Sequence, residues 1–112
     1  MLENKVISKL TSCDKILIMI HENPDGDTLA SASAMYLVLK KMGKSSRMVC
    51  KDKVPRPFQF LPEMSEIKED FLFGDFDIML AIDCGDIRRT GFDERLKDFA
   101  KKNRKTLINL DH

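Results

Sequence analysis

Three short apolar runs constrain the fold of this chain more than any other feature. They cover residues 15–20, 76–82 and 106–110, and the first reads "ILIMI" without a polar interruption after its opening lysine. An unbroken apolar strand is typical of a sheet that is covered on both faces. None of the runs approaches the roughly 20 residues that a membrane-spanning helix requires. The runs therefore predict buried strands of a parallel sheet.

Helical patterns alternate with these strands. We predict helices over residues 2–12, about 27–42 and 92–102, and a further strand over 47–50. Asp27 or Thr28 would cap the second helix, and Gly43 would end it. Strands that alternate with helices predict an α/β fold, with three layers, a mostly parallel sheet and helices on both faces.

Length and composition restrict the class of protein. The 112 residues suit one domain, and their formal net charge of +1 gives no global field that would attract duplex nucleic acid or a membrane. The three cysteines share no metal-type spacing, which favours reduced thiols in the cytoplasm. We also expect the chain to continue beyond His112, because domains seldom end on the last residue of a buried strand.

Acidic and imidazole groups follow three of the predicted strands. They are His21, Asp25, Asp27, Asp83, Asp86, Asp111 and His112. In parallel sheets these groups would meet at one edge, where such folds bind their ligands. Crowded carboxylates require a compensating cation, and carboxylate with imidazole suits Mn²⁺, Mg²⁺, Fe²⁺ or Co²⁺. The set is large enough for two ions roughly 3.5–4 Å apart, the arrangement used for phosphoryl hydrolysis.

Each of these signals has a simpler interpretation when it is taken alone. "NPDGD" is a common surface turn, and an Asp before Gly often only caps a helix. Cys84 beside Asp83 has no evident activating base, so we interpret it as a small buried residue.

The connection over residues 51–65 is rich in proline and carries both basic and aromatic residues. Its basic residues, Lys51, Lys53 and Arg56, could line a nucleotide site, although a solvated loop is the commoner arrangement. Phe58 and Phe60 could stack on a base, but packing beneath the connection is again more usual.

The motifs as a set resemble the DHH phosphoesterase superfamily. The resemblance rests on "HENPDGD" from His21, on Asp83 in "AIDCGD", and on "LDH" at the end of the chain. Two less specific segments are "VPRPFQFLPEMSEI" and "AIDCGDIRRTG". They resemble the corresponding segments of the small oligoribonucleases that also dephosphorylate 3′-phosphoadenosine 5′-phosphate. The chain then corresponds, over 1–112, to the N-terminal part of a DHH domain, ending inside the third motif.

The resemblance implies a role for each motif residue. The first ion would be bound by His21 and Asp25, the second by Asp27 and His112, and both by a bridging Asp83. Asp111 would orient and polarise its neighbours, and we count Asp83, Asp111 and His112 as the catalytic group. Arg88 or Arg89 would contact a substrate phosphate, although a solvated loop charge is an equally simple interpretation.

The function implied is metal-dependent hydrolysis of short single-stranded oligonucleotides or a phosphorylated small molecule. The cofactor would be two Mn²⁺ ions, with Mg²⁺ or Co²⁺ as substitutes. The second His of the third motif and a fourth-motif Asp do not occur in this sequence, so we expect these 112 residues alone to be inactive. The alternatives are an inorganic pyrophosphatase or exopolyphosphatase of the same superfamily, or a non-catalytic regulatory domain that binds a cation.

Overall fold

A computed structural model describes residues 13–61, 63–70, 76–82, 90–92 and 94, and the backbone of 106–110. The predicted helix over 2–12 and nearly all of that over 92–102 lie outside these residues. Within the described part of the chain, no helix is long and apolar enough to cross a membrane.

Five parallel strands form one sheet, and the fold class is α/β, as predicted. The elements in chain order are β1 (Lys15–Ile20), α1 (Gly26–Lys41), β2 (Ser45–Cys50), β3 (Ile67–Lys68), β4 (Ile78–Ile82) and β5 (Thr106–Leu110). Two 3-10 turns, Arg56–Phe58 and Met64–Glu66, lie between β2 and β3. Strand β2 begins two residues earlier than predicted and β4 two residues later.

The unbroken apolar run of β1 is explained by burial on both faces of the sheet. Ile16 and Ile18 belong to a core that includes Leu29 and Leu39 of α1. Leu17 and Met19, which point the opposite way, belong to a second core with Phe76 and Phe92. All four β1 side chains are fully buried, so neither face of the strand tolerates a polar residue.

Local backbone chemistry explains where α1 ends. Gly43, at φ +78°, follows the C-cap Met42, and its N–H donates to Lys40 O at 3.1 Å. The next N–H, that of Lys44, donates to Leu39 O at 2.9 Å. This pair of bonds is a Schellman motif. The C-cap is Met42, and Gly43, which was predicted to be the cap, lies one position beyond it.

The strand order determines where a ligand can bind. The order is β3-β2-β1-β4-β5. Strands β2 and β3 therefore lie on one side of β1, and β4 and β5 lie on the other side of β1. Ile20 is in register with both Cys50 and Ile82, and Ile82 is in register with Leu110. The carboxyl ends of β1, β2, β4 and β5 thus lie in one row. The direction in which successive strands are added to the sheet reverses between β1 and β4. Open α/β sheets bind their ligands at this reversal.

Candidate metal and phosphoester site

The loop from His21 to Asp25 connects the end of β1 to α1, at the reversal in strand order. Pro24 is buried, and Asn23 has a φ of +51°, which asparagine tolerates better than most residues. The Asn23 N–H donates to Asp52 Oδ2 at 2.8 Å, and the Cys50 thiol donates to His21 O at 3.5 Å. The segment after β2 therefore holds this loop against the sheet edge.

His21 is buried, with 2% of its surface exposed, and both of its ring nitrogens have partners. Nδ1 lies 2.6 Å from Glu22 O, and because a carbonyl only accepts, Nδ1 carries the proton. In the neutral imidazole Nε2 then has no proton, and it accepts from the Thr28 hydroxyl at 3.1 Å. A neutral imidazole with one N–H fixed on a carbonyl is the form in which histidine binds metal ions.

Asp25 and Asp27 lie at the amino end of α1. Asp25 is the N-cap and accepts from the Thr28 N–H at 2.8 Å, whereas Asp27 occupies the first turn. The prediction that Asp27 or Thr28 caps the helix was wrong, because Pro24 and the extended Asp25 start the helix earlier. Both carboxylates are exposed and both are stabilised by the helix dipole.

Thr28, which the sequence suggested only as a helix cap, connects these groups. It is fully buried, its hydroxyl contacts His21, and its backbone N–H contacts Asp25. Any non-proline residue three positions after a capping Asp can supply that N–H, so the sequence carries no signal for it, and the contact with the imidazole depends on the fold.

The other predicted site residues lie outside the described part of the chain. They are Asp83, Asp86, Arg88, Arg89, Asp111 and His112, together with Cys84. The backbone register still places Ile82 beside Ile20 and Leu110 beside Ile82. Neighbouring strands are about 4.8 Å apart, so the ends of β1 and β5 are separated by about 10 Å. Among the residues that the structure does describe, no three His, Cys, Asp or Glu side chains are close enough to hold a metal ion.

A cluster around Gly91 ties the segment that follows β4 to the ends of β1 and β2. Lys51 Nζ donates to Gly91 O at 3.3 Å and lies 5.9 Å from the centre of the Phe92 ring. A Cβ at Gly91 would lie 2.6 Å from Lys51 Cδ and 3.0 Å from Glu22 Cδ. Glycine is therefore required here, and Lys51 makes specific contacts with protein rather than only forming a solvated rim.

The two phenylalanines of the connection have different environments. Phe58 is half-buried, and its Cε1 would lie 3.0 Å from a Cβ at Gly26, so its ring packs on the first turn of α1. Phe60 is 78% exposed, so the expectation that it packs beneath the connection was wrong.

Cys50 lies at a part of this sheet edge that is inaccessible to solvent. Its side chain is fully buried, and desolvation raises the pKa of its thiol to about 11. The Asp52 and Glu22 carboxylates also raise this pKa, while a backbone hydrogen bond at Asp52 lowers it. The thiol is therefore neutral at physiological pH, and it is not an activated nucleophile.

A parallel sheet with an imidazole and two carboxylates at the reversal of its strand order defines the class of open α/β proteins that bind their ligands at this edge. Residues 15–112 match the DHH family, N-terminal domain, and the chain belongs to that family.

The fold is shared with a solved structure, the crystal structure of an exopolyphosphatase-related protein from Bacteroides fragilis. The TM-score is 0.80 at 22% sequence identity, and the match covers 96% of this chain and 34% of that one. The chain thus spans about a third of the length of its structural relative. No curated protein matches it.

Proposed function

We propose that the full-length protein is a divalent-metal-dependent phosphoesterase that hydrolyses short oligonucleotides or 3′-phosphoadenosine 5′-phosphate. The observation that carries the proposal is His21, whose Nε2 contacts Thr28 at the reversal of strand order, in the same segment as the exposed carboxylates Asp25 and Asp27. Membership of the DHH family supports the same chemistry. The subgroup rests on the two less specific segments alone.

The donor set suits two hard or borderline divalent ions. In this proposal His21, Asp25, Asp27, Asp83 and His112 hold the ions, with Asp83 shared between them. The bound ions would supply an acidified water and neutralise charge on the phosphoryl oxygens. Asp25 can cap α1 and bind a cation at once, since a carboxylate accepts several bonds. Asp111 would orient its neighbours, and Arg88 or Arg89 would pair with a substrate phosphate.

Two other functions stand against this one. The relationship of the fold to an exopolyphosphatase-related protein favours a hydrolase of inorganic pyrophosphate or polyphosphate. A non-catalytic regulatory domain that binds a cation is the second. A cytoplasmic location is part of the proposal in each case.

An assay panel separates these functions. The full-length protein with Mn²⁺ is offered a dinucleotide, 3′-phosphoadenosine 5′-phosphate, pyrophosphate and polyphosphate, and we expect the first two to be hydrolysed fastest. Asp83→Ala should lose activity at least about a hundredfold, the scale on which a metal-site group contributes. Asp14→Asn is the matched acidic control, because the exposed Asp14 precedes β1 at the opposite edge of the sheet. Faster hydrolysis of pyrophosphate or polyphosphate would favour the second function, and an inert Asp83→Ala change would favour the regulatory domain.

The 112 residues alone should bind Mn²⁺ unequally. Three expected ligands of the first ion occur in the chain (His21, Asp25 and Asp83), but the fourth-motif Asp expected for the second ion does not. Titration calorimetry with Mn²⁺ should show one stronger site and one weak or absent site, without hydrolysis of the dinucleotide. Two equally tight sites would contradict this expectation.

A further inference from the structure

A cleft of about 440 Å³ opens at the carboxyl end of β2, on the side away from β1. Binding sites for small molecules typically have volumes of roughly 300–1,000 Å³, so the cleft has room for one ring system with a sugar. Among the predicted metal ligands that the structure describes, which are His21, Asp25 and Asp27, none lines it. It is therefore a separate feature of the same sheet edge.

The cleft has an apolar floor. Cys50 and Met64 are buried, and Val54 and Ile67 are half-buried beside them. The thioether of Met64, which is 5% exposed, makes favourable contacts with aromatic rings. An apolar surface of this kind suits a ring face and offers a phosphate no compensating charge.

The charged groups of the described rim disfavour a polyanion. Among the lining residues that the structure describes, Asp52 and Glu69 contribute two carboxylates, and Lys53 contributes one ammonium group. The resulting negative excess repels phosphate, whereas carboxylates accept hydrogen bonds from the N–H groups on the edge of a nucleobase. Inorganic polyphosphate is consequently a poor occupant, and a neutral heteroaromatic ring is a good one.

The cleft is physically joined to the His21 loop. Cys50, on its floor, donates to His21 O, and Asp52, on its rim, accepts from the Asn23 N–H. A ring in the cleft would therefore lie beside the loop that carries the proposed metal ligands. A phosphate attached to that ring through its sugar would extend toward the reversal of strand order.

We propose that this cleft is a nucleobase subsite, which selects nucleotide substrates over inorganic phosphates. The inference rests on the proposed function, since it assigns one part of the substrate of the same site. It also gives a structural reason why a DHH domain with this β2–β3 connection would act on oligonucleotides rather than on polyphosphate.

The test fills the cleft without touching the metal loop. Ser65 lines the cleft and is exposed, so Ser65→Trp should occupy the space without disturbing the core. Ser45→Trp is the matched control, because Ser45 is also exposed and starts β2 at the opposite edge of the sheet. Kinetics of the full-length protein with Mn²⁺ are measured on a dinucleotide and on its abasic counterpart, which lacks the bases.

Ser65→Trp should raise KM for the dinucleotide about tenfold, the loss that one displaced base contact produces, and leave the abasic substrate unchanged within about twofold. Ser45→Trp should change neither substrate. Equal losses on both substrates, or no loss on either, would overturn the subsite. If Ser65→Trp does not fold, the smaller Ser65→Leu replaces it with the same expectation, since it also fills the cleft without changing its charge.

If the protein hydrolyses no phosphoester, the proposed function is refuted but the subsite is not. A binding measurement then tests the subsite directly. Adenosine is titrated into the full-length protein without metal, and amide chemical shifts are followed by NMR. We expect saturable shifts of Val54, Met64 and Ile67 that Ser65→Trp abolishes and Ser45→Trp retains. Saturable shifts that are confined to other residues, or no shifts at all, would refute the nucleobase subsite.

Discussion

At the residue scale, the candidate site depends on the two hydrogen bonds of His21, one at each nitrogen of its imidazole ring. Its Nδ1 proton is fixed on Glu22 O, which leaves Nε2 to accept from Thr28. A divalent cation at Nε2 would replace the Thr28 hydroxyl as the partner of that nitrogen. The contribution of Thr28 to stability should therefore depend on metal.

Thr28→Val tests this exchange. Without metal, the change leaves Nε2 buried and without a partner, which should lower the free energy of unfolding by about 1–3 kcal/mol. With saturating Mn²⁺ the loss should shrink, because the metal satisfies the nitrogen. Urea denaturation of the full-length protein with and without Mn²⁺ measures both values. Thr28→Ser, which keeps the hydroxyl, should lose much less, and an equal loss for Thr28→Val in both conditions would show that Nε2 does not bind metal.

At the residue scale, the sequence predicts the chemical groups better than their partners. The "HENPDGD" motif identifies His21 as a ligand candidate, since its imidazole follows a buried strand. The partners Thr28, Asp52 and Lys51 could not be predicted, because each contact depends on how β2 and α1 are placed beside the loop.

At the scale of one element, the amino end of α1 combines an observed role in capping with a proposed role in binding metal. Asp25 caps the helix, and the proposal gives the same carboxylate a cation. These functions can be separated because asparagine caps a helix about as well as aspartate but carries no charge.

Asp25→Asn should therefore keep the stability of the metal-free protein and lose Mn²⁺ affinity, whereas Asp25→Ala should lose both. The capping loss should be about 1 kcal/mol in the free energy of unfolding. Thermal unfolding and Mn²⁺ calorimetry of the two variants distinguish the contributions. If Asp25→Asn bound Mn²⁺ as tightly as the unchanged protein, Asp25 would be a cap only.

The connection after β4 depends on one glycine. Gly43 and Gly91 share a φ of +78°, but a Cβ at Gly43 would meet no atom within 4 Å, whereas one at Gly91 would overlap Lys51. Gly43→Ala should lose about 1–2 kcal/mol from backbone strain alone. Gly91→Ala should lose more, and adding Lys51→Ala should recover part of the difference. Equal losses in urea denaturation would show that the Lys51 contact contributes nothing.

The elements themselves follow closely from the sequence. The bounds of β1 and β5 agree with the apolar runs. For β1 the reason is burial on both faces, which leaves no ambiguity about where the strand stops. The N-cap of α1 was placed two or three residues too late, because Asp25, Asp27 and Thr28 are all good caps and the sequence alone does not choose between them. The two-residue β3 was not predicted, since so short a strand is defined by its neighbour β2 rather than by its own residues.

On the scale of the whole molecule, the order β3-β2-β1-β4-β5 gives the separate motifs a common location. Parallel strands predict a shared edge, but only the order shows that β1 and β4 are neighbours at the point of reversal. The register then aligns Ile20, Ile82 and Leu110, the residues from which the motif segments continue. The proposed function requires that the residues which converge at this edge hold a pair of divalent ions.

A crystal structure of the full-length protein soaked with Mn²⁺, with anomalous diffraction data, tests the convergence most directly. We expect two anomalous peaks roughly 3.5–4 Å apart. One should lie on His21 and Asp25, the other on Asp27 and His112, with Asp83 between them. Peaks located elsewhere, or none at saturating Mn²⁺, would contradict the account.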